Sequence, residues 1–151
     1  LNQRFHPLKN CRNDKYDMVI INDVIEHLTK DEIFDLMDEV MRILKPGGGF
    51  VIKTPNMANP LVAAAGRYIG FDHEIGFTEI SMREVLRACG YCSIKIIGTD
   101  IYVLNPFISI VAKLASKLMN IILWFFSAFY GRTSLKIFEK DILALAYKPY
   151  N

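Results

Sequence analysis

Residues 16–55 read YDMVIINDVIEHLTKDEIFDLMDEVMRILKPGGGFVIKTP, and this stretch decides the fold. Its first part, Tyr16–Ile21, is a short run in which residues 18–21 (MVII) are consecutively apolar rather than alternating. Such a run predicts a parallel strand that is buried on both faces.

A helix follows, and the sequence marks both of its ends. Thr29 and Glu32 have the spacing of a capping box, and apolar residues then recur at helical spacing as far as Leu44. Pro46 and Gly47–Gly49 predict a turn that ends the helix, and residues 50–53 predict a second strand. Strand, helix and strand of these lengths predict a right-handed crossover in a parallel sheet.

Polar side chains follow both predicted strands, at residues 22–27 (NDVIEH) and 54–56 (TPN). Ligands in open α/β sheets bind beyond the carboxyl ends of the strands, so this pattern predicts a site there. A structural alternative stays open, in which Asp23 and Glu26 cap a turn and His27 is an ordinary loop residue.

Three segments together resemble a known family: YDMVIINDVIEHL (16–28), ILKPGGGFVIKTPN (43–56) and HEIGFTEISMREVLRACGY (73–91). They are similar to the C-terminal half of class I S-adenosylmethionine-dependent methyltransferases, in the branch of the ubiquinone-biosynthesis-type enzymes (methyltransferase types 11 and 23). The pairing of D-V-I-E-H-L with L-K-P-G-G before a strand carries this resemblance, which covers the larger part of the chain.

The resemblance implies an α/β fold with a partial Rossmann-like sheet. This sheet would hold the family's strands four to seven, the last of them antiparallel, with helices on its faces and strands one to three missing. Family members carry a G-x-G loop after the first strand, and no such loop occurs in this sequence. Gly47–Gly49 follow a helix, which is the wrong order for a loop that cradles a cofactor. We therefore expect a single truncated domain over residues 1–151.

The resemblance also implies the chemistry. The cofactor would be S-adenosylmethionine, the reaction methyl transfer to an O, N or C acceptor, and no metal is expected. The implied residues are, by role, catalytic His27 and His73, cofactor-binding Asn22, Asp23 and Val24, and substrate-binding Asn56, Phe77 and Thr78. A histidine would serve as the base that takes a proton from the acceptor. For His73, a plain surface-loop histidine remains the alternative.

The remaining elements can be predicted locally. A short helix is expected over Pro60–Ile69, and a helix with a capping box over Ser81–Cys89. Strands are expected at residues 93–98 and 142–147. Cys89 and Cys92 form a C-x-x-C pair, but Cys89 ends a helix, where the dipole does not favour a reactive thiolate.

Residues 105–130 (NPFISIVAKLASKLMNIILWFFSAFY) form an apolar helical insertion with one narrow polar stripe. Three interpretations stay open: a helix or helix pair that covers the sheet and the acceptor pocket, an interfacial membrane helix, or a membrane span. The resemblance links such an insertion to acceptors that are joined to a lipid or a glycan.

Composition narrows the function classes. The net charge of +2 over 151 residues and the absence of a basic cluster with aromatics argue against nucleic acid. Three cysteines without a secretion signal indicate a reduced, cytoplasmic setting, with membrane association through residues 105–130 left open. An alternative function is a catalytically incompetent fragment or degenerate domain that attaches to a membrane or a partner through its apolar helix. The strand Tyr16–Ile21 would have a bare edge, so we expect self-association.

Overall fold

The computed structural model describes residues 8, 10–68, 72–99, 105–131 and 134–150. The strands are β1 (Tyr16–Asn22), β2 (Leu44–Pro55), β3 (Cys92–Gly98) and β4 (Asp141–Tyr147). The helices are α1 (Lys30–Ile43), α2 (Pro60–Tyr68), α3 (Glu79–Ala88) and α4 (Pro106–Phe129), with a 3-10 turn at Ile25–His27. The predicted end of the second helix, Ile69, lies outside the described residues.

The four strands form one sheet in the order β1, β2, β4, β3. β1 and β2 are parallel, and α1 is the crossover between them, as the sequence predicts. β4 is the last strand in the chain, yet it lies between β2 and β3 and is antiparallel to both. The predicted partial Rossmann-like sheet with an antiparallel last strand is therefore confirmed.

The core lies between one face of this sheet and the helices α1 and α3. α1 buries its apolar stripe, and β2 contributes Phe50 and Ile52 from below. Tyr91, which follows α3, places its ring 5.5 Å from that of Phe50, and its hydroxyl donates to the carbonyl of Met37. The capping box predicted at Thr29 and Glu32 is present in both directions.

The expectation that β1 is buried on both faces is wrong. Met18 and Ile20 are 51% and 58% exposed. The reason is that β1 is an edge strand and that only one face of the sheet is covered by described helices. Ile97 of β3 lies exposed on the same open face.

Two local boundaries also differ from expectation. The glycines after α1 do not form a separate turn, because β2 begins at Leu44 and includes them; Gly47 has a φ of +76° beside a register shift against β1. α3 begins two residues earlier than predicted. Its capping box is formed by Thr78 and Ser81, since a serine hydroxyl can occupy the third position as well as a glutamate.

Helix α4 is a single helix, capped by the side chain of Asn105. None of its residues is buried. The first interpretation of this segment, a helix that covers the sheet and the acceptor pocket, is therefore not what the described structure shows. By length and composition, with a mean hydropathy of 1.6, α4 is one helix in the described part of the chain that could cross a membrane.

Candidate functional site

A cleft of about 410 Å³ opens beyond the carboxyl ends of β1 and β2, where the fold predicts a ligand site. Its walls come from the ends of these strands, the 3-10 turn, α2, the loop before α3 and the start of β4. The lining residues are Asp23, Glu26, His27, Lys53, Pro55, Leu61, Val62, Ala65, His73, Lys140 and Asp141. Three residues predicted for the site, Asp23, His27 and His73, are among them.

Asp23 follows β1 in an unusual backbone conformation, with a φ of +52°. Its N–H donates to the carbonyl of Lys53, and its carboxylate accepts from the Lys53 ammonium at 2.9 and 3.0 Å. Asp141 lies 3.5 Å from the same ammonium. The hydrogen bond to Asp23 raises the pKa of Lys53, against the opposing effect of partial burial. The two strand ends are thus joined by a fixed charge pair at the cleft.

Glu26 holds the floor of the site together. Its carboxylate is buried and accepts a hydrogen bond of 3.0 Å from the hydroxyl of Thr54. Its carbonyl accepts from the N–H groups of Glu74 and Ile75, at 2.8 and 3.1 Å. These bonds tie the loop before α3 to the 3-10 turn that carries His27.

This tie brings His27, Asp72 and His73 together. Nδ1 of His27 lies 3.0 Å from a carboxylate oxygen of Asp72, and the rings of the two histidines meet edge to face at 4.5 Å between centroids. The side chain of His27 is 31% exposed, so it is accessible from the cleft. An imidazole oriented by a carboxylate can accept a proton from a substrate.

The same three side chains could hold a metal ion. One ligand atom from each lies within 4.8 Å of the others. Two imidazoles and a carboxylate form a donor set that suits several transition metals. The family resemblance implies no metal. Treatment with a chelator distinguishes a metal site from a metal-free catalytic base.

The three residues predicted to bind substrate have structural surroundings instead. Asn56 is fully buried, and its amide donates to the carbonyls of Ile137 and Glu139 at 2.9 and 3.0 Å. Phe77 belongs to the hydrophobic core, and Thr78 caps α3. None of these three lines the cleft, because the chain needs them to fix the loops on either side of it.

Asn22 and Val24 lie beside Asp23 at the end of β1 with largely exposed side chains, outside the lining of the cleft. Sequence reasoning missed Asp72, Lys53 and Asp141. Asp72 directly precedes His73, so the sequence itself places a carboxylate beside a candidate base. The other two come from strand ends that are adjacent only in the folded sheet.

Comparison with known proteins agrees with this geometry. Residues 3–52 match the family model described as a methyltransferase domain. A comparison with curated proteins finds no match. Among solved structures, the chain is similar to a SAM-dependent methyltransferase from Archaeoglobus fulgidus, with a TM-score of 0.64 and 18% identity, over 97% of this chain and 66% of that one.

Two further structures share the fold. One is a SAM-dependent methyltransferase from Thermotoga maritima, described as a possible histamine N-methyltransferase, with a TM-score of 0.61 and 11% identity over 92% of this chain and 59% of that one. The other is phosphoethanolamine N-methyltransferase 2 of Haemonchus contortus in complex with S-adenosyl-L-methionine, with a TM-score of 0.50 and 15% identity over 93% of this chain and 35% of that one.

The order of the strands and the position of the cleft define a Rossmann-like α/β fold. The family-model match over residues 3–52 and the shared fold support the more specific prediction, and the fold is that of class I S-adenosylmethionine-dependent methyltransferases. The chain spans less than two thirds of the length of the solved relatives described above.

Proposed function

We propose that this chain contributes the acceptor side of an S-adenosylmethionine-dependent methyltransferase and transfers a methyl group to a hydroxyl or amine acceptor. One observation carries the proposal: the cleft beyond β1 and β2 brings Asp23 and His27 together with His73, which lies more than forty residues further along the chain. Methyl transfer from a sulfonium needs an aligned acceptor and the exclusion of water.

His27 is the proposed base, and Asp72 is the residue that positions it. The carboxylate at 3.0 Å holds the imidazole in one orientation, while the loop that carries Asp72 is fixed through Glu26. His73, whose ring contacts that of His27, would face the acceptor from the same side of the cleft. Asn22, Asp23 and Val24 remain the proposed contacts to the methionine part of the cofactor, by resemblance to the family.

The proposed cofactor is supported by the family resemblance and by the Haemonchus structure, which holds S-adenosyl-L-methionine on the same fold. The described chain does not supply a glycine-rich loop after a strand. We propose that the cofactor site is completed by a segment that pairs with the outer edge of β1, which has no partner strand in the described sheet. That segment would also cover the open sheet face.

The acceptor would be linked to a lipid or a glycan. Support comes from the segment 139–141, which borders both the cleft and the cavity beside α4: Glu139 lines the latter, and Lys140 and Asp141 line the former. The apolar helix therefore adjoins the acceptor site, in keeping with a cytoplasmic enzyme that works near a membrane.

The test of cofactor binding is a calorimetric titration of S-adenosylhomocysteine. It is run on this chain and on a form extended upstream. Binding by the extended form alone is the expected result. Binding by the short chain would show that a second copy completes the site, and no binding by either form would overturn the enzyme proposal.

The test of the base uses His27→Gln in the extended form. Removing a general base costs about 10²–10⁴-fold in turnover, with little change in S-adenosylhomocysteine affinity. Asp72→Asn should lose less, and Asp35→Asn on the exposed side of α1 is the matched control. If a chelator abolishes turnover in the unmodified enzyme, the histidine cluster is a metal site and the base assignment is wrong.

The second candidate function is attachment without chemistry. The observation that favours it is the fully unburied apolar surface of α4. It predicts that the chain associates with membranes or partners while the extended form binds no S-adenosylhomocysteine.

A further inference from the structure

In helix α4, the polar side is the more sheltered one and the apolar side is exposed, which is the reverse of a helix in a soluble protein. Its more sheltered side chains recur at helical spacing and, apart from Leu123, are small or polar: Ser109, Ala112, Ser116, Asn120, Leu123, Ser127 and Ala128. A soluble helix shelters its apolar stripe and exposes its polar one.

The polar side of α4 is directed at the rest of the domain. A cavity of about 290 Å³ lies between them, lined on the helix by Lys113, Ser116, Lys117 and Asn120. Leu114 of the helix also lines it, and Thr99 and Glu139 line it from the domain. The outward side is therefore left to the large apolar residues.

Those outward residues form a continuous apolar surface. Leu118, Phe125 and Phe129 are 60%, 55% and 75% exposed, and other large apolar side chains of α4 are similarly open. Exposed apolar patches of this extent mark interaction sites for proteins or membranes. The surface is too large to be explained as scattered single residues.

The composition of the helix decides which of these occupants fits. Residues 105–130 contain two lysines and no acidic residue. Aromatic residues are concentrated toward the C-terminal end, where Trp124 and Tyr130 can lie at the level of lipid headgroups. A cationic helix with a wide apolar face suits an anionic bilayer surface.

The position of the lysines favours a helix that lies flat rather than one that spans. With 24 residues, α4 is about 36 Å long and would be long enough to cross the roughly 30 Å hydrocarbon core. Lys117 falls near its middle, where a lysine costs about 2.5–3.5 kcal/mol in a spanning helix. In a flat helix, both lysines stay on the side that faces the domain and water.

We propose that α4 docks this protein on an anionic lipid bilayer, with the apolar side in the acyl boundary and the Lys113–Asn120 side toward the domain. Docking holds segment 139–141, and with it the mouth of the cleft, at the membrane surface. This inference concerns the helix and stands independently of methyl transfer.

The experiment is flotation of the full chain with vesicles, read together with tryptophan fluorescence. Trp124 is the single tryptophan of the chain, so a blue shift of its emission reports α4 alone. We expect flotation and a blue shift with vesicles of phosphatidylcholine and phosphatidylglycerol, and much weaker binding to phosphatidylcholine alone. Lys113→Gln with Lys117→Gln should remove this preference for anionic lipid.

The apolar side is tested with Leu118→Asn combined with Phe125→Asn, which should reduce vesicle binding at least several-fold. Neither residue is buried, so the fold should persist, as circular dichroism will show. Phe34→Asn, at an exposed aromatic residue of α1, is the matched control and should bind as the unmodified chain does.

Three results would overturn the proposal. Absence of flotation with unchanged Trp124 emission would exclude the bilayer as the occupant. A stable dimer in solution that the Leu118 and Phe125 substitutions dissociate would assign the surface to a second copy. Oriented circular dichroism that places α4 along the bilayer normal would make it a span. Titration of S-adenosylhomocysteine is unaffected by these outcomes, so the two proposals fail separately.

Discussion

The ammonium of Lys53 lies 2.9 Å from a carboxylate oxygen of Asp23 and joins the ends of the two parallel strands. Asp23 comes directly after β1, and Lys53 is near the end of β2, so the pair fixes the spacing of the strands where the cleft begins. The left-handed backbone of Asp23 turns its carboxylate toward this partner.

Lys53→Met should destabilise the domain by up to about 1 kcal/mol, because the pair is partly exposed and screened. The pKa of Lys53 is raised in the folded state by its hydrogen bond to Asp23. Its contribution to stability is therefore present below the ordinary lysine value of 10.5 and is lost as pH rises through the higher folded pKa. Urea unfolding of the unmodified chain and of the Lys53→Met variant, near neutral pH and well above pH 10.5, measures the loss of stability and its pH dependence. If the difference in unfolding free energy between the unmodified chain and the variant stays constant over this pH range, the stabilising role of the ion pair is contradicted.

Thr54→Val should destabilise more, by about 1–3 kcal/mol, because the buried Glu26 carboxylate loses its hydrogen-bond donor. The comparison variant is Glu26→Gln, which keeps an acceptor for Thr54 and should lose less. Urea unfolding of the two variants gives the order. Equal losses would mean that the hydroxyl does not support the carboxylate.

Tyr91→Phe should cost about 1 kcal/mol through the lost hydrogen bond to the carbonyl of Met37. Burial raises the pKa of Tyr91 far above the ordinary tyrosine value of 10.0. The neutral phenol therefore supports the fold below 10.0, and this support is lost as pH rises beyond it. The phenylalanine variant should show a weaker loss of stability in alkaline urea titrations, and an unchanged alkaline loss would count against this role.

Cys89 should react more slowly with iodoacetamide than Cys92. Burial, with a smaller effect of Asp38, raises the pKa of the Cys89 thiol, so less thiolate is present at a given pH. Cys92 is exposed. Mass spectrometry of timed samples measures the two rates, with the urea-unfolded chain as the control in which they converge. A faster reaction of Cys89 would indicate that the C-x-x-C pair of Cys89 and Cys92 is reactive.

Self-association of the chain is expected to follow from the free edge of β1. Ile20→Lys places a charge on the open sheet face and should lower the tendency to associate. Sedimentation and thermal melts at several concentrations give the measurement, with Phe34→Lys as a surface control. A sharp monomeric melt that does not depend on concentration would contradict this expectation.

The sequence predicts the strand–helix–strand crossover well because its signals are local. The apolar period of α1 and the Thr29–Glu32 box need no tertiary partner. The burial of β1 could not be predicted in this way, since an apolar run does not say whether helices cover both faces of the sheet. In sequence, the glycines at 47–49 predict a turn. Only the pairing of β2 with β1 shows that they belong to the strand and lie at a register shift.

The candidate site divides in the same manner. Asp23 and His27 follow a strand, and topology alone places them at the cleft. Asn56 is also polar and follows β2, so its sequence position predicts a cleft residue in the same way. Its amide instead donates to carbonyls that lie some eighty residues further along the chain. Long-range hydrogen bonds of this kind leave no local sequence pattern, so the sequence could not show that the Asn56 amide is already bonded.

The position of β4 has a consequence for the order of synthesis. β3 hydrogen-bonds to the sheet only through β4, which lies at the far end of the chain. While the polypeptide leaves the ribosome, β3 thus emerges before the strand that it pairs with, and α4 follows with its exposed apolar surface. The described sheet therefore cannot close before β4 has been synthesised, and the edges of β2 and β3 that β4 will pair with stay open until that strand inserts.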